Sequence, residues 1–303
     1  MSILVVGSVA LDTIRTPYVT GERVLGGSAV HFSNAASVLY GDIHLVGVVG
    51  DDFGDDHVAF LKRKGVDLKG LEKAKGKTFH WEGYYEQDMN QAHTVKTELN
   101  VFQAFNPVIP DAYRKDSHLF LANIDPDLQL RVLDQMDRPK LVVCDTMNYW
   151  IETRKDRLVE VLKRSDIAVL NEGEIRQLTG AMNTLDAARK LLDFGLRYLI
   201  VKRGEYGFLL VGREELFSGS AMVLNDVKDP TGAGDSFAGG FVSYVASKRD
   251  TGFKTLKKAV VWANLIASFN VQGLGVEGLD RVTVADVRKR SVAYARLTEF
   301  GRI

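Results

Sequence analysis

One cysteine occurs in 303 residues. Cys144 alone can neither close an intrachain disulfide nor supply a cysteine-type zinc cluster, so a reducing compartment is expected and the cytoplasm is the expected location. Proline is scarce, 6 residues against 28 glycines, which excludes collagenous and proline-rich architectures. No stretch reaches about 18 uninterrupted apolar residues, so no membrane span is expected, and the opening Ile3-Leu4-Val5-Val6 follows no basic leader. Neither sign of charge is in excess: Lys+Arg and Asp+Glu both number 39. Without a global field to gather nucleic acid or an anionic membrane, any anionic ligand must be held by a local site. Internal repeats, linkers and low-complexity tracts are absent too.

What the chain does have is core material, 46% hydrophobic against 26% charged. Short β-branched runs bounded by Gly or Asp fall at Ile3 to Val9, His44 to Val49, Leu141 to Cys144, Ile167 to Leu170, Tyr198 to Val201 and Phe208 to Val211. Most are continuous rather than alternating, which suits strands covered on both faces. Helix-period segments lie between them, at Arg157 to Lys163, Leu185 to Phe194 and Phe237 to Val245. The expected fold is α/β, a doubly wound and mostly parallel sheet. One stretch breaks the rhythm. Phe79, Trp81 and Tyr85 alternate with His80, Glu82 and Glu86; after the turn Asp88 to Gln91, His93 to Phe102 alternates again, with Val95, Leu99 and Val101 on one face. This predicts a hairpin outside the main sheet, a lid, a dimerisation flap or an ordinary edge.

The sharpest local signal is Asp229-Pro230-Thr231-Gly232-Ala233-Gly234-Asp235, running directly into a helix-like segment. Gly232 and Gly234 permit close backbone approach, and the free amides at a helix start favour an anion, phosphate above all. Asp235 at that start is as much at home as a cap as it would be as a catalytic acid or base. Other nucleotide patterns fail. Gly76-Lys77-Thr78 has Leu71 at the first P-loop glycine position and precedes a strand. The dinucleotide fingerprint would need Gly where Phe237 stands, so an oxidoreductase lacks its footprint. Asp52-Phe53-Gly54 has no accompanying protein-kinase motifs.

The segment Asp229 to Asp235 closely resembles the C-terminal signature of the ribokinase-like (PfkB) carbohydrate and nucleoside kinases. Gly7 to Asp12, Gly26-Gly27-Ser28-Ala29, Gly47 to Gly54, Asn171 to Glu174 and Lys202 to Gly207 resemble further family elements in the family's order, over nearly the whole chain. The resemblance implies one ribokinase-like domain over residues 1–303 with lid segments at about 12–24 and 77–106. It implies Asp235 as the base and the amides of Gly232, Ala233 and Gly234 as the anion hole. Asp12, Gly26, Gly27 and His31 would meet the acceptor, His31 standing where many relatives have Asn. Asn171, Glu174, Lys202, Gly204, Gly207 and Asn264 would serve ATP, with Glu174 holding Mg2+ through water and Asp229 and Thr231 forming a potassium site. Each has a plainer reading as turn, cap or solvated residue, and for His31 a helix imidazole satisfied within the protein.

After Cys144, the run Asp145 to Trp150 lacks the Arg that fructokinase-like and ketodeoxygluconate-kinase-like members often carry, so capture of an acidic sugar's carboxylate loses its obvious agent. The expectation is therefore transfer of the ATP γ-phosphoryl group to a primary hydroxyl of a small neutral sugar, or alternatively of a nucleoside, for which Phe79, Trp81, Tyr84, Tyr85, Phe102 and Phe105 offer stacking surfaces or simple packing. A non-catalytic sugar or nucleotide sensor is the rival from another class. A carboxylate of ordinary pKa suffices for the base if the transition state is loose. A homodimer through the lid is a further expectation of the resemblance; nucleic acid and membrane are not expected partners.

Overall fold

A computed structural model describes residues 2–299. In chain order its strands are β1 (Ile3–Val6), β2 (Ala10–Arg15), β3 (Thr20–Gly26), β4 (Ile43–Val49), β5 (Val66–Lys73), β6 (His80–Tyr85), β7 (Ala92–Glu98), β8 (His118–Leu121), β9 (Leu141–Cys144), β10 (Ile167–Asn171), β11 (Tyr198–Lys202), β12 (Phe208–Val211) and β13 (Leu216–Gly219). Nine form one sheet in the order β13-β12-β11-β10-β9-β8-β1-β4-β5. The pairings from β11 across to β5 are parallel, and β12 and β13 add an antiparallel edge.

The continuous apolar runs mark strands buried on both faces. Ile3 and Val5 of β1, Leu141 and Val143 of β9, and Ile167 and Val169 of β10 enter one core, closed by the helices Ser28–Ala36, Ala233–Lys248 and Phe253–Asn270. The intervening Leu4, Val6, Val142, Cys144, Ala168 and Leu170 enter a second core under Lys155–Lys163, Glu172–Thr179 and Thr184–Leu192. The period-2 geometry of a strand divides each run between two helical layers. Phe32 anchors the first core by stacking on Phe120 at 4.3 Å between ring centroids.

The second sheet has four strands in the order β3-β2-β6-β7 and forms the lid. It is rooted where Leu11 donates its amide to Phe79 O at 2.9 Å, and where Arg23 of β3 meets Asp52 at 2.5 Å while Asp52 accepts the Thr78 amide at 2.7 Å. Three local expectations change. The run Ile3 to Val9 stops being sheet after Val6, because the chain leaves the large sheet there and re-pairs as β2 in the lid. The segment His93 to Phe102 is not one strand: β7 ends at Glu98 and Asn100–Ala104 is a 3-10 turn, so Val101 packs toward the second core while Val95 stays exposed. His80 does not belong to an outer polar face; it is buried, with Nδ1 2.5 Å from Leu11 O. Strands β5, β8 and β13 were not anticipated, and β8 carries no β-branched residue at all.

Strand β1 lies between β4 and β8, so successive crossovers depart from it in opposite directions. At such a switch point the connections diverge and leave a crevice beyond the carboxyl ends of the strands, which is where open α/β sheets bind ligands.

Candidate active site

Three strand ends and one helix start converge beside this crevice. Asp145 follows β9, Asn171 ends β10, Lys202 ends β11, and Gly232 precedes the helix Ala233–Lys248. Gly232 takes the left-handed conformation at φ 70°, which brings the Ala233 and Gly234 amides round to the helix start, and no side chain caps them. Asp235 stands at the third helical position, where its carboxylate accepts from its own backbone amide, so a first-turn capping role and a chemical role are both open to it. Open amides at a buried helix start, together with the helix dipole, are the physical requirement for holding a phosphate.

The loop before that helix is fixed from below. Both carboxylate oxygens of fully buried Asp229 are taken, one by the Thr231 amide at 2.9 Å and the other by the Gly275 amide at 2.8 Å. Asn270 donates to Thr231 O at 2.9 Å and accepts from the Ser236 hydroxyl at 3.0 Å. From above, the lid reaches the same loop where the Thr231 hydroxyl donates to the Tyr85 hydroxyl at 3.3 Å. Asn270 and Ser236 escaped the sequence reading, and Tyr85 entered it only as an aromatic surface, since nothing local to them signals a loop far away in the chain.

Carboxylates crowd the floor. Burial pushes the Asp235 carboxyl up to about 7, repulsion from Asp145 adds to this, and Lys202 opposes it. Burial likewise holds Asp12 at about 7, against the amides of Gly27 and Trp81 and with repulsion from Asp229 and Asp235. Asp12 lies within β2, against Gly26 of β3, and its Oδ1 has no hydrogen-bond partner. Gly27, at φ 96°, has no room for a side chain, because a Cβ there would come 2.5 Å from Ser8 O. His31 is 2% exposed, packs beneath Gly232, and leaves both ring nitrogens without a partner. Burial lowers its pKa.

On the other side of the anion loop, Asn171 and Glu174 form a reciprocal capping box: the Asn171 amide donates to Glu174 Oε2 at 2.7 Å, and the Glu174 amide to Asn171 Oδ1 at 2.8 Å. The plain structural role is therefore filled, yet Glu174 is buried and pushed up to about 7 chiefly by that burial. Lys202 pairs with Asp145 at 3.1 Å. Asp145 was read from the sequence only for the arginine missing after it, although its place just past a buried strand is the signal that singled out Asp12.

A cleft of about 1380 Å³ opens over these groups, lined among others by Tyr85, Asn171, Gly204, Pro230, Ala233 and Asn264. Asn264 spends its amide on Ser220 O at 3.3 Å. Gly204 begins a 3-10 turn that joins β11 to β12, and Gly207 closes it at φ 100°. The lid turn crosses the cleft to meet it, Asn90 donating to Glu205 at 2.9 Å.

An anion-holding helix start set in a crevice of carboxylates and closed over by a small β sheet is the build of a phosphotransferase acting on small molecules. The sequence model of the pfkB family carbohydrate kinases matches residues 2–280, and the chain belongs to that family. It is 31% identical over 249 residues to a cytidine kinase of Thermococcus kodakarensis, covering 80% of this chain and 88% of that one. It is 29% identical over 279 residues to a deoxyribokinase of Salmonella typhi, covering 83% of each. In structure it is similar to an E. coli protein described as a ribokinase II in complex with ATP and Mg2+, with a TM-score of 0.80, 18% identity, and coverage of 96% of this chain and 99% of the other. It is thus an ATP-dependent kinase of the sugar and nucleoside class.

Proposed function

We propose that the chain acts as one kinase domain, with lid segments near 12–24 and 77–106, that moves the γ-phosphoryl group of ATP to a primary hydroxyl of a small neutral sugar. The observation that carries this reading is Asp235 itself: a carboxylate in the first turn of a helix whose start no N-cap side chain covers, with Asp145 and Lys202 both acting on its charge. Asp12, with its unpartnered Oδ1, is suited to accept from an acceptor hydroxyl, and the Gly26-Gly27 turn beside it keeps that approach narrow. The amides of Gly232, Ala233 and Gly234 hold the charge on the moving phosphoryl oxygens, an effect worth ~10²–10³ in rate per donor at comparable oxyanion sites. Asp235 takes the hydroxyl proton. Its carboxyl at about 7 makes it a stronger base than the ordinary carboxylate that a loose transition state would require.

The residues present fit a nucleoside triphosphate: open amides, a lysine at the strand end, and a cleft edged by Asn171, Gly204 and Asn264. Gly207 shapes that edge from behind. Mg2+, when bound, neutralises phosphate charge, and Glu174 would hold it through water. Asp229 and Thr231 would carry a potassium ion only through the lone pairs left beyond their backbone bonds, so turnover in potassium against choline salts tests that assignment. Closure of the lid, with Tyr85 on Thr231, excludes water from the phosphoryl group. A homodimer through the lid's outer face and a cytoplasmic location complete the reading.

A nucleoside acceptor is the second reading, favoured by Trp81, which lines the cleft with its indole fixed through Nε1 to Thr94 at 3.1 Å and so offers a rigid stacking face. The test is ADP release from ATP and Mg2+ across ribose, deoxyribose, fructose, acidic sugars, cytidine and other nucleosides. Acceptor-dependent release with neutral sugars supports the first reading and with nucleosides alone the second. ATP binding with no acceptor-dependent release would leave a non-catalytic sensor.

A further inference from the structure

Lys202 does not lie along the cleft wall as a residue that only grips ATP would. Its ammonium is drawn down onto Asp145, with Nζ 3.1 Å from Oδ2 and 3.4 Å from Oδ1, and the pair's side chains are 18% and 6% exposed. It also reaches the anion loop: a Cβ at Gly234 would stand 3.0 Å from Nζ, so the ammonium occupies the space that glycine leaves beside the phosphate-binding amides. Glu174 and Asp235 face it from the neighbouring helix starts, and both stabilise its charge. Asp145 is in turn held in place, taking the Thr146 amide on Oδ1 at 2.9 Å. Gln129 donates to Asp145 O at 3.0 Å and to Ala122 O at 2.9 Å, tying together the carboxyl ends of β9 and β8.

We propose that Lys202 is a catalytic residue that carries a fixed positive charge to the transferring phosphoryl group, and that Asp145 is the positioning residue that stores and aims it. The inference rests on the phosphotransfer reading and deepens it. In the step, the bond from the γ-phosphorus to the β,γ-bridging oxygen breaks and a bond to the acceptor oxygen forms. The acceptor proton passes to Asp235, ADP leaves with the bridging electron pair, and Lys202 keeps all its protons throughout. Its charge is worth most where negative charge is in transit between the two oxygens, so it lowers the barrier more than it strengthens ATP binding. A lysine that merely bound ATP would instead act on ground state and transition state alike.

The test compares Lys202→Met with Lys202→Cys before and after alkylation by 2-bromoethylamine, which restores an ammonium on a side chain of nearly the same length. The chain's own Cys144 is buried, so the reagent addresses position 202. Lys202→Met should lower kcat by ~10²-fold or more while ADP affinity, read by calorimetry, changes less than about threefold. Alkylation of the cysteine variant should recover at least a tenth of the lost kcat. Asp145→Asn, which keeps shape and loses the anchor, should lower kcat by about tenfold with the KM for ATP little changed. The double variant Asp145→Asn/Lys202→Met, free of an unpaired buried charge, controls for folding and should be as slow as Lys202→Met alone. Retention of kcat in Lys202→Met or in the double variant, or equal losses of ADP affinity and kcat/KM with kcat intact, would overturn the proposal. Failure of the phosphotransfer reading looks different: no acceptor would then stimulate ADP release even in the unsubstituted protein.

Discussion

The imidazole of His31 lies directly against the Cα of Gly232, in the space that any side chain at 232 would need. Because Gly232 also holds φ 70°, the anion loop depends on glycine twice, for its backbone and for its clearance from a buried ring. Gly232→Ala should therefore lower stability by ~2 kcal/mol or more and turnover by at least tenfold. His31→Ala in the same chain should return part of both by emptying the clash. Thermal unfolding and kcat of the single and double variants measure this, and a Gly232→Ala protein with unaltered Tm would refute it.

Asp235→Asn removes the proton acceptor without changing the side chain's shape. The expected loss is ~10²-fold or more in kcat, with ADP affinity held within about threefold. Steady-state kinetics with calorimetry on the same preparation tests it. Turnover close to that of the parent protein would end the assignment of Asp235 as base.

The acids at the site predict a pH dependence with a definite sign. Asp235 must be ionised to accept a proton, and its carboxyl stands near 7, so kcat should rise about tenfold per pH unit up to near 7 and level off above. Stability should move the other way. Asp12, Asp235 and Glu174 each have a folded pKa raised from 3.8 or 4.5 to about 7, so the folded state binds their protons more tightly than the unfolded chain does. Their uncharged forms stabilise the fold fully below about pH 4, and that contribution is lost as pH rises through 7. Urea midpoints of Asp12→Asn against the parent protein should diverge between pH 4 and 7, the variant gaining as pH rises. Parallel curves would contradict the buried environment.

Tyr85→Phe deletes the lid's hydroxyl contact with Thr231 while leaving the ring. One partly buried hydrogen bond is worth about 1 kcal/mol, so the acceptor KM should rise several-fold, kcat should change little, and acceptor-free ATP hydrolysis should increase relative to transfer. Unchanged values for all three would show that the contact does not govern closure.

Asp229→Ala strands two buried amides, those of Thr231 and Gly275, at a cost of about 2–5 kcal/mol. Asp229→Asn keeps an acceptor for one of them and should lose about half as much. Urea unfolding of the two variants orders them, and equal stability for both would remove Asp229 from the loop's support.

The strand runs were legible because burial on both faces leaves no alternation to hide them, and the glycine turn was legible because its residues are contiguous. Strand β8 was not. Its four residues depend on β1 and β9 on either side for their hydrogen bonds, and pairing between distant segments leaves no mark in the local pattern. The break in the His93 to Phe102 segment was hidden for a related reason. Asn100 turns the chain by donating its side-chain amide to Thr78 O at 3.0 Å, an acceptor on the other arm of the lid.

Contiguous motifs were enough for the resemblance to the family, which carries Asp235 as the expected base, and the alternation of residues 78–86 was enough to expect a hairpin outside the main sheet. Which groups meet was settled by the order of strands around β1. That order sets Asp145, Glu174, Lys202 and Asp235 together from four separate segments, raises the Glu174 and Asp235 carboxyls to about 7 by desolvation, and packs His31 beneath Gly232. Desolvation and the pairing of charges are properties of a folded interior, and no stretch of chain carries them before its neighbours have been brought to it.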